Sequence, residues 1–449
     1  MLKRGLYFAV LGSLILAGCG EPPAIVGTAP TPPAGAAEDA VAPGTDVDGP
    51  AGRGKVTYVQ HGDLWIKALP EGDAAQLTDD GLNSHPLWSP SGRYVAFRKD
   101  VELMTADTVS GIVRSWTTPV STYLWSPEGD VLAYVAGSGI LRLAVVDMAA
   151  GTEVTLIPPE VGVLGRIGDI AWSPDGQAIV YEWYEGQEAQ GLFLIPYGGG
   201  EATELYASGK PEKGDALLAG WSGDGRYLLF WQGPIVSASQ LADGVPLYAL
   251  PAGGGAPEVV VDEVLYFDDF VVPQRGTSAL ALIEGTHRGV WTRKRLVVTD
   301  LDGGDLAVLS PEGLVAVAPA WSSDGTRVAY SAMVDLGDLV GGDSAREGLA
   351  TRRIWVSGAD GSEPVALTAD PAYRDERPFW SADGESLLFA RMYAEDRLSL
   401  WWLDITSREA TRVVDDVGPL PGPAAPWFGY YGHVDWAPVL DWWPGEASR

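Results

Sequence analysis

The chain has 449 residues, with 30 Lys and Arg against 60 Asp and Glu, which gives a formal net charge of −30. Because binding to phosphates needs a basic face, this balance argues against a nucleic-acid partner. Cys19 is the only cysteine, so no disulfide framework is expected.

The first residues have the pattern of an export signal. Lys3 and Arg4 precede an apolar run from Gly5 to Leu16, which is too short to span a bilayer as a stable anchor. The run ends in Leu16-Ala17-Gly18-Cys19, which resembles a bacterial lipobox, where the signal is cut before a cysteine that is then lipidated. We therefore expect residues 1–18 to be a lipoprotein signal peptide and Cys19 to be the lipidation site. An ordinary secretory signal with an incidental cysteine is the alternative.

Residues 19–54 consist largely of Pro, Ala, Gly, Thr and Asp, with few large apolar side chains. Such a composition buries too little surface to fold, so we expect a disordered tether. The predicted location is the cell envelope, on the outer face of the cytoplasmic membrane or on the outer membrane. Membrane contact is expected only through the lipid on Cys19.

A short motif recurs along the rest of the chain. Each copy has Trp-Ser, two variable residues and Gly, followed by a short apolar strand, and the copies begin at Trp88, Trp125, Trp172, Trp221, Trp321 and Trp380. A Ser/Asp-Gly turn between two β-rich runs is typical of a tight hairpin. A second hairpin follows each copy, which makes four antiparallel strands per unit.

The spacing of the motif predicts a propeller. The tryptophans are 37, 47, 49, 100 and 59 residues apart, and a degraded copy at Phe270–Gly276 fills the gap of 100. Four-stranded units of about 40 to 50 residues are typical of β-propellers. We expect residues 55–449 to form one all-β propeller of eight blades, or seven if the degraded copy is an insertion. The strand Val434–Pro438 would close the ring by joining the N-terminal half blade.

The repeat resembles that of TolB-type β-propellers, which also occurs in the propeller of dipeptidyl-peptidase-IV-like proteins. The resemblance rests on the Trp-Ser-Pro-Asp-Gly hairpin, the strand after it and the trailing Leu77-Thr78 and Leu367-Thr368. It implies an architecture and leaves activity open. The hydrolase elbow Gly-x-Ser-x-Gly of the peptidases has no match, since Gly220-Trp221-Ser222-Gly223-Asp224 breaks at its last position.

Two classes of function remain. The sequence favours a non-catalytic scaffold that binds a protein, peptidoglycan or other glycan on the face with the long loops and at the channel mouth. The alternative is a metal-assisted, glycan-active enzyme that resembles the propeller-fold oligogalacturonate lyases. The chain has four histidines and no compact metal-ligand motif, so no cofactor is expected, although a divalent metal remains an alternative.

Candidate site residues follow from aligning the repeats on their tryptophans. The position three residues before the Trp enters the innermost strand at the channel mouth, and it carries His85, Asp169, Asp269 and Arg377; His433 has the same spacing from Trp436. If Trp88 and Trp436 lie on adjacent blades, His85 and His433 are neighbours at one rim. Two histidines make an incomplete metal site, and water is a better third ligand than Asp169, which lies two blades away.

An aromatic cluster follows a Pro/Gly/Ala run near the C-terminus, in an inter-blade loop on the same face. Its members are Trp427, Phe428, Tyr430 and Tyr431. Such a cluster is suited to stacking on sugars or gripping a peptide, or else to plugging the wide channel of the ring. The sequence leaves both roles open.

Overall fold

The computed structural model describes residues 38–40, 53–137, 141–158, 165–185, 188–208, 215–233, 243–304, 306–393, 397–419 and 431–445. Cys19, Trp427, Phe428 and Tyr430 lie outside these residues. The described part is almost entirely β, as predicted. None of its helices is long and apolar enough to cross a membrane.

The repeated turns have a common hydrogen-bond pattern, which explains the motif. In the copy at Trp172, the Ser173 hydroxyl donates to Asp175 Oδ1 (2.5 Å) and accepts from the backbone N–H of Ala178 (3.0 Å). Asp175 Oδ1 also accepts from the N–H of Gln177 (3.0 Å). Gly176 has φ +66°, a conformation that favours glycine. The motif therefore encodes a two-stranded hairpin locally.

These hairpins combine into four-stranded units. In chain order the strands are β1 Glu38–Ala40; β2 Lys55–Gln60, β3 Asp63–Ala68, β4 Ala74–Gln76; β5 Asn83–Trp88, β6 Tyr94–Lys99, β7 Glu102–Asp107, β8 Ile112–Thr117; β9 Val120–Trp125, β10 Val131–Ala136, β11 Arg142–Asp147, β12 Thr152–Ile157; β13 Gly165–Trp172, β14 Ala178–Glu185, β15 Glu188–Pro196, β16 Thr203–Ala207; β17 Asp215–Trp221, β18 Tyr227–Gly233, β19 Val245–Pro251, β20 Glu258–Val264; β21 Val271–Pro273, β22 Ala279–Glu284, β23 Arg295–Asp300, β24 Ala307–Val308; β25 Leu314–Trp321, β26 Arg327–Val334, β27 Arg353–Gly358, β28 Val365–Ala366; β29 Arg374–Trp380, β30 Ser386–Tyr393, β31 Arg397–Asp404, β32 Ala410–Val414; and β33 Leu440–Trp443. A 3-10 helix, Asp268–Phe270, precedes β21, and helix α1, Gly342–Leu349, lies between β26 and β27.

The strands pair antiparallel in seven sheets over the described residues. Six of them hold β33-β2-β3-β4, β5–β8, β9–β12, β13–β16, β25–β28 and β29–β32. The seventh has eight strands and contains β17–β20 and β21–β24, which are joined by the single pair Val264 and Glu284. This arrangement is a multi-bladed β-propeller. The number of blades, eight or seven, stays a prediction because it depends on counting the halves of this sheet separately.

The degraded copy of the motif is a real hairpin. Without its Trp, β21 still pairs with β22, through Val271 with Leu282 and Val272 with Ala281. The turn packs closely on its neighbour, since the N–H of Gly276 donates to the carbonyl of Gly223 (3.0 Å). The segment Phe270–Gly276 therefore belongs to the repeat.

Ring closure uses a different segment from the predicted one. The C-terminal strand does pair with the N-terminal half blade, but that strand is β33, and Val434–Pro438 lies before it. Val56 pairs with Trp442 in the same way that Val95 pairs with Trp88, so Trp442 holds the repeat position. Trp436 was predicted because its local sequence resembles the motif. The register of the C-terminal strand is instead set by its pairing with β2, which is almost 400 residues earlier in the chain.

A three-residue strand lies in the segment predicted as tether. Glu38–Ala40 pairs with the outer edge of β8, with Glu38 opposite Arg114 and Ala40 opposite Ile112. The prediction of coil for residues 19–54 is therefore wrong for these three residues. Adding a strand covers backbone groups that an exposed sheet edge leaves unpaired.

Candidate functional site

The innermost strands contain bulges at the channel mouth. The pairing register shifts between Ser84 and Leu87 in β5, and between Glu376 and Phe379 in β29. These intervals include His85 and Arg377, which have left-handed φ angles of 55° and 52°. Strand β13 has the same shift between Ile167 and Ile170, around Asp169. A bulge changes the direction in which a side chain points. The position three residues before the repeat tryptophan therefore differs from the regularly paired part of the strand.

Three of the predicted residues come together. His433 Nε2 lies 2.8 Å from Asp269 Oδ1, and Arg377 Nη1 lies 3.3 Å from Asp269 Oδ2. All three are mostly buried, with 12% of the His433 side chain, 14% of Asp269 and 29% of Arg377 exposed. The His433 ring stacks on Phe267 at 3.9 Å between centroids. We call His433, Asp269 and Arg377 the mouth cluster.

The electrostatics of the mouth cluster favour an ionised carboxylate. Burial alone would raise the pKa of Asp269, but His433 and then Arg377 outweigh it and lower that pKa to about 2. Asp269 therefore carries its charge at neutral pH. It holds the imidazole and the guanidinium on its two separate oxygens.

Buried charges next to the mouth cluster fix the position of His433. Arg352 Nη1 (3.0 Å) and Arg374 Nη2 (3.1 Å) both donate to the carbonyl of Gly432. Arg352 Nη1 and Arg374 Nε also donate to Glu376 Oε1, each at 2.6 Å. Both arginines and Glu376 are at least 97% buried, so the backbone just before His433 is rigidly held.

These positioning residues were missed by the sequence analysis. The signal for them was the run Arg374-Asp375-Glu376-Arg377, which places charges in a strand that should be apolar. Charged residues are almost never fully buried unless paired, so such a run predicts a buried ion-pair network. Its partner Arg352 is 22 residues before Arg374 and has no local signal.

The residues before β33 cross the channel mouth. The carbonyl of Tyr431 accepts from the N–H of Val290, which follows β22, and Gly432 contacts the arginines of the next two units. At the other end, the carbonyl of Pro438 accepts from the N–H of His85 in β5 (3.0 Å). These units are far apart around the ring. Residues 431–438, here called the closing segment, therefore span the channel mouth.

His85 and His433 are predicted to be neighbours on the assumption that Trp88 and Trp436 are equivalent, and the strand register does not support this equivalence. With Trp442 in the repeat position, the residue three before it is Val439, so His433 is not equivalent to His85. The His85 ring contacts Ser84 Oγ (3.0 Å), and its carbonyl accepts from the Tyr123 hydroxyl. His433 Nε2 forms its hydrogen bond with Asp269 Oδ1. The described residues hold no group of three His, Cys, Asp or Glu suited to a metal ion, so these side chains do not fit one.

The other predicted residues have separate environments. The backbone N–H of Asp169 donates to the buried Glu182 (3.1 Å), which also accepts from the N–H of Leu218 (2.6 Å). Of the aromatic cluster, only Tyr431 is within the described residues. It is exposed, and the Arg288 guanidinium lies 5.4 Å from its ring centroid.

Comparisons with known proteins support the fold. No model of a protein family matches the sequence. The Uncharacterized peptidase YuxL of Bacillus subtilis is 31% identical over 176 residues, which cover 37% of this chain and 24% of that protein. This chain therefore matches about a quarter of that relative's length.

Two solved structures align over most of the chain. Dipeptidyl peptidase 4 of Porphyromonas gingivalis aligns with a TM-score of 0.58 and 11% identity, over 81% of this chain and 60% of that one. TolB of Acinetobacter baumannii aligns with a TM-score of 0.36 and 12% identity, over 81% and 64%. At the level of fold, the chain is therefore a β-propeller like that of dipeptidyl peptidase 4.

Proposed function

We propose that this protein is a non-catalytic binding scaffold of the bacterial cell envelope, held to a membrane by a lipid on Cys19. Its ligand is a protein or a glycan, bound on the long-loop face at the channel mouth. The observation that carries the proposal is the mouth cluster, where polar side chains from distant parts of the chain meet at partly exposed positions.

The mouth cluster is suited to donating hydrogen bonds to a ligand. Arg377 has one side-chain hydrogen bond, at 3.3 Å to Asp269, and its buried Nε has no hydrogen-bond partner among the described residues. A guanidinium presents five N–H donors, so most of them are available for ligand oxygens. Carboxylates and hydroxyls of glycans and peptides are matching acceptors.

The test is a glycan array and a pull-down from envelope extracts with the full chain in detergent, followed by titration of the captured ligand. Arg377→Gln should weaken binding at least tenfold, because it removes the charged donor. Arg226→Gln is the control, since Arg226 pairs with Asp224 beside a hairpin turn on the opposite face. Equal affinity of the Arg377→Gln variant and the wild type would contradict a ligand at the channel mouth.

The contact between His433 and Asp269 favours one other candidate, a glycan-active enzyme. A histidine oriented by a carboxylate is the arrangement used for general-base chemistry. Incubation of the protein with acidic and neutral glycans, with and without divalent metals, separates the two functions. The binding proposal expects no cleavage; cleavage that His433→Ala abolishes would favour the enzyme.

A further inference from the structure

Three arginines lie at the bulges of the channel mouth. Arg98 pairs with Ser84, where the bulge of β5 begins, and Arg166 lies one residue before the shifted interval of β13. Arg377 lies within the bulge of β29. Arg166 is exposed, whereas Arg98 and Arg377 are partly exposed. All three side chains therefore reach solvent at the same face of the ring.

Each of these guanidinium groups lies over an aromatic ring. The distances from the guanidinium carbon to the ring centroid are 5.8 Å for Arg98 and Tyr123, 3.7 Å for Arg166 and Tyr184, and 5.2 Å for Arg377 and Phe379. A ring against one face orients the guanidinium plane and leaves the N–H groups at its edge available. Such an edge matches the two oxygens of a carboxylate.

Arg98 and Arg166 have no carboxylate partner among the described residues. The Arg98 guanidinium donates to the carbonyl of Ser121, and Arg166 makes no side-chain hydrogen bond within this part of the chain. Glu182 lies behind Tyr184 but forms no ion pair with Arg166. Its oxygens accept instead, at 2.6 to 3.1 Å, from the N–H of Asp169, the N–H of Leu218 and the Tyr184 hydroxyl.

Three other arginines that lie over tyrosines do have a carboxylate partner. These are Arg93 with Asp107, Arg142 with Glu153 and Arg226 with Asp224, at 2.5 to 2.7 Å. The chain has 60 acidic and 30 basic residues, so partners for an arginine are plentiful. Unpaired arginines at the mouth therefore leave positive charge there, which is complementary to an anionic ligand.

We propose that the ligand at the channel mouth is an acidic peptide segment, whose side-chain carboxylates bind Arg98, Arg166 and Arg377. The inference rests on the proposed function, because it names the ligand class of the same site. Clusters of arginine are a recurring means of recognising acidic peptide motifs. An extended peptide presents several carboxylates along its length, as arginines on separate units require. A glycan fits less well, because a guanidinium already occupies a face of each ring on which a sugar would stack.

The first test is fluorescence anisotropy with the full chain in detergent and a labelled peptide of alternating Glu and Gly. A peptide of the same length with Gln in place of Glu is the matched probe without carboxylates. The Glu peptide should bind at least about tenfold more tightly, because charge-assisted hydrogen bonds are stronger than neutral ones. Added salt should weaken its binding. Equal affinities for the two peptides, or no binding of the Glu peptide, would overturn the proposal.

Variants of the mouth arginines test the individual contacts. Arg98→Gln and Arg166→Gln should each weaken binding of the Glu peptide about three- to tenfold, because each removes a charged donor. Arg93→Gln is the matched control, since Arg93 also lies over a tyrosine but is paired with Asp107 on the opposite face. It should bind the Glu peptide as the wild type does. Wild-type affinity in both mouth variants would overturn the proposal.

Two further outcomes separate this inference from the proposed function. Tighter binding of an oligogalacturonate than of the Glu peptide would overturn the acidic peptide in favour of an acidic glycan, and the scaffold would stand. A captured neutral ligand that loses affinity in Arg377→Gln, but not in Arg98→Gln or Arg166→Gln, would do the same. The proposed function itself fails when binding of the captured ligand does not depend on Arg377.

Discussion

At the residue scale, the same serine–aspartate pair repeats in four hairpin turns. Ser222, Ser322 and Ser381 each donate to the aspartate two residues later, as Ser173 does, at 2.5 to 2.7 Å. In each turn the aspartate also accepts from a backbone N–H two residues further on. These carboxylates therefore serve to hold the geometry of the turns.

The carboxylate of Asp269 has a different role, which a pH series can measure. Its pKa of about 2 lies below the value of about 3.9 for an unfolded chain, so its ionisation stabilises the folded state by about 2 kcal/mol. This stabilisation is complete above about pH 4 and is lost as the pH falls towards 2. Asp269→Asn should thus lower the unfolding free energy at pH 5 by about 2 kcal/mol, and by much less near pH 2.5.

The measurement is urea unfolding across this pH range. Asp268→Asn serves as the matched control, because Asp268 is the exposed neighbour on the same 3-10 helix. A deficit for Asp269→Asn that stays constant from pH 5 to pH 2.5 would show that the mouth cluster does not depend on the charge of Asp269.

At the element scale, the hairpins could be predicted and the closing strand could not. A hairpin depends on a turn and two adjacent strands, so Trp172 and Gly176 carry its whole signal within a few residues. β33 is defined by pairing with Lys55–Tyr58 at the other end of the chain. Trp436 and Trp442 are both plausible from local sequence, and only the long-range pairing of Val56 with Trp442 distinguishes them.

The closing strand should control the stability of the whole ring. β33 pairs with β2 over four residues, and Trp442 donates to the carbonyl of Trp380 in the unit on its other side. Deleting residues 439–449 therefore exposes the edge of β2 and removes the hydrogen bond from Trp442 to the carbonyl of Trp380. We expect a large fall in melting temperature and the loss of a single cooperative transition.

Deleting only residues 446–449, which lie beyond β33, is the control for this truncation. It should leave the melting curve close to that of the full chain. A protein that lacks residues 439–449 and still melts at the wild-type temperature would contradict ring closure by β33.

At the scale of the whole molecule, the mouth cluster combines three distant segments of the chain. The sequence alignment of the repeats identified Asp269 and Arg377 as residues at the mouth, since it placed each of them three residues before the tryptophan position of its unit. Their contact with each other and with His433 could not be predicted, because it depends on the path of the closing segment across the channel. The buried Arg352 and Arg374, which hold that path at Gly432, contribute through packing that no local pattern encodes.

In the proposed lipid anchoring, Cys19 determines how far the ring can stand from the membrane. Strand β1 pairs residues 38–40 with the edge strand β8. The segment that would connect the lipid to the ring is therefore the chain between Cys19 and Glu38. At about 3.4 Å per residue it extends to roughly 65 Å at most, which limits how far that edge stands from the lipid. Cys19→Ser should leave the protein unprocessed or release it from membranes, because no other lipid attachment is expected. Fractionation and mass spectrometry of the mature protein test this, and an unmodified Cys19 in a membrane-bound wild type would contradict the lipid anchor.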